Sequence, residues 1–246
     1  MRVDREQAAG LESGRSQGSP WSFTTAMAEM AQTLRRSHSS VDDSLIVIGE
    51  AALANIPGAA SAGISLQAGQ GRLETRSATD ELPARVADAQ SDTGQGPCLE
   101  SIQRRAPVRV DDVAAERRWA EFTARVAPEP FASMLSVPLL VAGDAIGSLS
   151  VYSAESGGFD SDAEEMGFVL AHHAAVAIAG AREEEGLLQA LDNRDLIGQA
   201  KGILMERHKL TADQAFRLLV RTSQALNVKL RDIAGQLADT GEFTKP

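Results

Sequence analysis

One cysteine, Cys98, stands among 246 residues, so an intrachain disulfide is excluded. No set of cysteines and histidines has the spacing of a metal site. A reducing cytoplasm is the compartment that fits such a chain. No apolar run reaches the roughly 18 residues that a membrane-spanning helix needs. The first 20 residues, MRVDREQAAGLESGRSQGSP, lack the apolar core of a secretory signal and read as a polar tail. There is no serine–histidine–aspartate set, no phosphate-binding glycine loop and no metal signature, so a non-enzymatic protein without a cofactor is expected. Proline is missing from 161 to 245, so no proline there forces a helix to break.

What is present is ordinary in amount and uneven in place. Hydrophobic residues are 43% and charged residues 24%, as in soluble globular proteins. The net charge is −10, which taken as an average argues against a nucleic-acid binder. From Arg194 to Gly235, however, eight basic residues (Arg194, Lys201, Arg207, Lys209, Arg217, Arg221, Lys229, Arg231) meet four acids. That stretch is about +4 and the remainder about −14. An acidic body with one basic end is the asymmetry of a chain in which a single module meets a polyanion. The alternative is an ordinary solvated helical surface.

Periodicity places the elements. Phe23, Met27, Met30 and Leu34 have helical spacing over 21–36, and a second helix follows Ser39 or Ser40 and ends at Pro57-Gly58. SAGISLQ (61–67) and RLETRSA (72–78) read as strands, 81–90 as a short helix and Asp92–Cys98 as a turn-rich loop into the helix LESIQRR. PVRV is a short strand, and a short helix is placed around Trp119 and Phe122. The clearest hairpin is SMLSVPLLV and AIGSLSVYS about the turn Ala142-Gly143-Asp144, with Leu135, Val137, Leu139 and Val141 on one face. Pro138 removes a ladder donor and should sit at an edge or bulge. Ser161 with Glu164 reads as a capping box opening a long helix with an apolar stripe at Met166, Val169, Leu170, Val176 and Ala177. That helix can continue past Gly186 to 207, with Leu187, Leu188 and Leu191 available to a second copy.

The end of the chain reads as three helices. The first spans about 194–207. The second follows Thr211, boxed with Gln214, and carries Ala215, Phe216, Leu219 and Val220 at core spacing. The third takes Asn227 as N-cap, with Leu230, Ile233, Ala234 and Leu237 as its stripe.

Residues 194–240 resemble the ANTAR family of RNA-binding antitermination domains, most specifically in IGQAKGILMERHKLTADQAF (197–216) and LNVKLRDIA (226–234). Residues 40–180 resemble a GAF sensor domain through DTGQGPCLES (92–101), PVRVDDV (107–113), SMLSVPLLVAGDAIGSLSVYS (133–153) and LAHHAAVAIAGA (170–181). The resemblance implies an α+β GAF-type domain with an antiparallel sheet flanked by helices, then an all-α three-helix bundle, joined by a long helix. The expected limits are a tail at 1–20, a sensor domain at 21–182, a helical linker at 183–193 and the ANTAR domain at 194–240. It also implies binding of paired hairpins in nascent leader RNA, by a homodimer formed through the helix at 161–207. A small-molecule ligand or protein partner at the sensor domain stays open, because the GAF fold hosts many ligands and none.

The candidate RNA-binding residues are Gln199, Ala200, Lys201, Gly202, Arg207, Arg217, Arg221, Lys229 and Arg231. Gly202 costs about 1 kcal/mol inside a helix, which tight helix packing or close RNA approach would offset. Arg217 and Arg221 share one helix face at i, i+4 spacing. Arginine forks match phosphate and stack on unpaired bases. Phe216 is the one aromatic before the tail, at a position read as core, so shape and charge are expected to outweigh stacking. Cys98 reads as a small core residue rather than a redox switch, and His172 and His173 as helix-packing histidines rather than haem ligands. A DNA-binding helix-turn-helix regulator and a protein-interaction sensor with a degenerate output module remain as alternatives. The third helix offers few side chains aimed at base edges, only Arg231 and Gln236.

Overall fold

A computed structural model describes residues 41–242. The tail read at 1–20, the helix read at 21–36 and the cap read at Ser39 or Ser40 lie outside the described residues. The chain divides into two compact units, one ending at Ala177 and the other beginning at Ile178.

The first unit contains α1 (Val41–Asn55), β1 (Ser61–Gln67), β2 (Leu73–Ala78), α2 (Leu82–Thr93), α3 (Pro97–Arg104), β3 (Val108–Val110), α4 (Ala120–Val126), β4 (Ser133–Val141) and β5 (Asp144–Ser153), together with the start of α5 (Ser161–His208). Its strands form one sheet in the order β2-β1-β5-β4-β3, antiparallel at every step. The central hairpin turns on Ala142 (φ 50°) and Gly143 (φ 89°). Two left-handed residues match the twist of the flanking strands, so the turn needs only two residues and Asp144 already belongs to β5. Pro138 lies two residues past Ser136, the last β4 residue paired with β3, and next to the register shift at Leu139/Leu140. A missing donor costs little at such an edge.

Both faces of the sheet are covered. Leu135 and Val137 lie on the α5 side, where Gly167 brings the helix so near that a Cβ would stand 3.0 Å from Val137 Cγ2. On the opposite face Ser136 Oγ meets Ser101 Oγ of α3 at 3.1 Å, and Ser150 Oγ meets Cys98 Sγ at 3.1 Å. Small side chains let α2 and α3 approach there. A Cβ on Gly63 would fall 2.3 Å from Pro83 Cβ.

Three readings of this unit are corrected. Asp92 and Thr93 belong to α2, because Gly94 (φ 66°) ends that helix only after them. Asp160, not Ser161, caps α5: its carboxylate accepts from the Ala163 amide at 3.0 Å. The buried stripe of α5 is Ala163, Gly167, Leu170, Ala171 and Ala174, with Val176 57% exposed. Close packing on a sheet selects small residues, whereas hydropathy picked the larger ones lying beside them.

The second unit holds the rest of α5, α6 (Ala212–Leu226) and α7 (Leu230–Thr240). The helix read at 194–207 is the end of α5, uninterrupted at Gly186. The capping box opens α6 as read: the Gln214 amide donates to Thr211 Oγ1 at 3.3 Å, and the Thr211 amide donates to Gln214 Oε1 at 2.9 Å. Replacing Thr211 with alanine is expected to cost about 1 kcal/mol. Hydrogen exchange at the amides of 212–215 should quicken accordingly, and unchanged exchange would dismiss the cap. Asn227 is not an N-cap. It ends α6 in the left-handed conformation (φ 53°), which asparagine tolerates, and Lys229 precedes α7.

Candidate nucleic-acid interface

The short helices α6 and α7 are marginal alone, and they hold together with the end of α5 by burying one stripe each. Ala200 and Leu204 of α5, Ala215 and Leu219 of α6, and Ile233, Ala234 and Leu237 of α7 form that core. Their positions decide what every other residue of the unit presents.

Ala200 is fully buried, so its reading as a surface contact is corrected: it is a core residue. Gln199 and Gly202 flank it on the exposed side. A Cβ on Gly202 would meet nothing within 4 Å, so no helix among the described residues packs against it. The same holds at Gly198. The offset that Gly202 calls for is therefore not found inside the unit.

The cations fall into two groups. Arg207 donates to the carbonyl of Gly241 beyond the end of α7. Lys209 pairs with Glu206 at 2.7 Å, Arg217 with Asp213 at 2.5 Å and Arg231 with Asp232 at 3.2 Å. Among the described residues, Arg194, Lys201, Arg221 and Lys229 have no ion-pair partner. Exposed pairs are weak, about 0–1 kcal/mol, and release their cations readily to a polyanion. Lys229 stands at the amino end of α7, where a positive charge is unfavourable to the helix dipole.

Phe216 is 39% exposed, not a core residue. The buried residues Ala215 and Leu219 set the face of α6, and Phe216 lies one residue beside it. It stands between two surface depressions. One is lined by Arg194, Lys201, Ile197 and Gly198 with Phe216, the other by His208, Arg217 and Arg221 with Phe216. Sequence reading missed the pairing of Arg194 with Lys201, although their seven-residue spacing puts them on one side of a helix.

In the first unit, Cys98 is buried as read, accepting from Gln90 Nε2 at 2.9 Å. His172 and His173 adjoin at a ring separation of 6.3 Å, and burial, then the neighbouring His172, hold His173 below its ordinary value. No group of side chains among the described residues could hold a metal ion. No helix among them is long and apolar enough to cross a membrane.

A five-stranded antiparallel sheet flanked by helices, running by one long helix into a helical unit, defines a modular two-part protein. Solved structures agree on the first part. A GAF domain of a phosphoenolpyruvate-protein phosphotransferase from Acinetobacter shares 19% identity over 68% of this chain and 97% of its own, with a TM-score of 0.54. The corresponding domain from Coxiella burnetii gives 17%, 69%, 99% and 0.55. Free methionine-R-sulfoxide reductase from Neisseria meningitidis gives 17%, 69%, 96% and 0.55. At such identities the likeness establishes the fold. No curated protein matches the chain. The chain belongs to the GAF domain family, matched over residues 38–179, and carries an ANTAR domain over 185–237. That order of domains supports, in general terms, a sensor-coupled antitermination regulator.

Proposed function

We propose that the protein binds paired hairpins of leader RNA through its ANTAR domain and so lets transcription pass a terminator, with the GAF domain governing that binding. The observation that carries this is the set of unpaired cations, Arg194, Lys201, Arg221 and Lys229, gathered on one small unit of a chain whose net charge is −10. Phosphates supply most of the affinity in such contacts and displace the counterions held along the nucleic acid. The protein acts by binding, in the cytoplasm, with no catalytic step. Its sensor answers to a small molecule or a protein partner.

A single copy has a modest charge, so two copies are needed. Leu188, Leu191, Gly198, Gly202 and Met205 fall at alternating four- and three-residue steps when Asp195 is counted, and the three large ones are exposed. That spacing is a heptad seam. Two helices meeting there would give the bare glycines the neighbour they lack among the described residues of one chain. The signal then passes along α5, which is continuous from Ser161 to His208.

The test is competition. Labelled RNA carrying two looped hairpins is bound to the whole protein and challenged with unlabelled RNA or with duplex DNA of matched length. RNA should displace the label at far lower concentration. Preference for the duplex would replace this reading with a DNA-binding one, and binding to neither would point to a protein partner.

A further inference from the structure

Aromatic side chains are few in this chain, and the ANTAR unit has one among its described residues. A three-helix unit of this size gains most by burying a phenyl ring. Phe216 is instead left 39% exposed while the core is closed by Ala215 and Leu219 beside it. Its surroundings are cationic on both sides. Arg194 and Lys201 line one adjoining depression, and Arg217, Arg221 and His208 line the other. Among the described residues, no acidic side chain lines either one. Of these cations, Arg194, Lys201 and Arg221 have no ion-pair partner among the described residues.

This is a flat apolar surface between two tracks for negative charge. An uncharged apolar partner would use the ring but gain nothing from the uncompensated cations on both sides, and acidic side chains of a protein would use the cations but not the ring. A folded RNA duplex would use the cations but keep its bases stacked away from the ring. An unpaired base, with a phosphate on either side of it in its own strand, uses both. We infer that Phe216 is the stacking platform for one unpaired loop base, with Arg194 and Lys201 holding the backbone on one side of that base and Arg217 and Arg221 on the other. This rests on the RNA-binding reading and adds to it the residue that separates a looped hairpin from a closed one. Shape and charge are then joined by stacking, which the rarity of aromatics in the sequence argues against.

Stacking on an aromatic side chain is tolerant of base identity and is removed by a side chain without a π face. The whole protein is compared with Phe216→Leu and Phe216→Tyr, using hairpins with an unpaired loop and blunt duplex RNA of the same charge. The loop carries 2-aminopurine, whose fluorescence falls when it stacks. Phe216→Leu should weaken binding of the looped hairpin about tenfold, which is about 1.4 kcal/mol. It should leave the duplex unaffected and abolish the quench. Phe216→Tyr should retain both. Thermal melting and sedimentation of each variant report folding and self-association. Loop binding and quench unchanged in Phe216→Leu would overturn the inference while leaving the RNA reading intact. Equal weakening on loop and duplex would also overturn it, as would loss of self-association with loop binding kept, which assigns the face to a second copy. A wild-type chain that binds no hairpin would remove the RNA reading itself.

Discussion

Reversing two charges, Lys201→Glu with Arg221→Glu, is expected to reduce affinity for two-hairpin RNA on the order of 100-fold at physiological salt, about 2.7 kcal/mol. Both side chains lack an ion-pair partner among the described residues, so no ion pair is lost with them. Lys201 is half-buried and Arg221 is exposed. The milder pair Lys201→Gln and Arg221→Gln gives the cleaner reading. Each should lower the slope of log affinity against log salt by about one, the signature of one phosphate contact removed. The same exchange at Arg207 should change the slope less, because its bond to the Gly241 carbonyl, which leaves the charge in place, holds the guanidinium away from the two depressions beside Phe216. Equal slopes for all three variants would show that their charges act at a distance or not at all. Secondary structure by circular dichroism should be the same in every case.

Leu219→Ala is expected to destabilise the ANTAR unit by about 3 kcal/mol, within the range of about 2–5 for a buried leucine whose site cannot collapse. Leu219 is fully buried among Leu204, Ile233, Ala234 and Leu237. A unit this small has little stability to spare. Because the chain has two units, a single global transition is not the proper measure. Hydrogen exchange should show α6 and α7 losing protection together while the sheet of the first unit keeps its own. Protection lost equally in both units would mean that they unfold as one body. Protection kept in α6 and α7 would mean that the packing described for this core is wrong.

Much of this was legible in the residues. Strict alternation found β4 and β5, and the Thr211–Gln214 box found the start of α6, because both are local signals with a fixed spacing. Where two elements must come close, the signal failed. The hydropathy of Val176 predicts an inward side chain, yet the sheet requires the alanines and the glycine of the neighbouring stripe. Phe216 failed for the related reason that an amphipathic helix admits its widest residue at the margin of the stripe, and only the tertiary packing tells which side of the margin it takes. Asn227 suits either end of a helix, and local composition does not distinguish them. The candidate cations were all visible in the sequence. Which of them were already spoken for was not, since Arg207 and Gly241 are 34 residues apart in the chain.

That last contact has a further meaning. The side chain of Arg207 leaves α5 one residue before its end and fastens onto the carbonyl that follows α7, so the corner between the first two helices is tied to the finish of the third. A cation at the carboxyl end of a helix also answers the partial negative charge gathered there. The segment is thus tied at a second point outside its shared core. A chain cut before Gly241 would lose this tie while keeping every residue of its core.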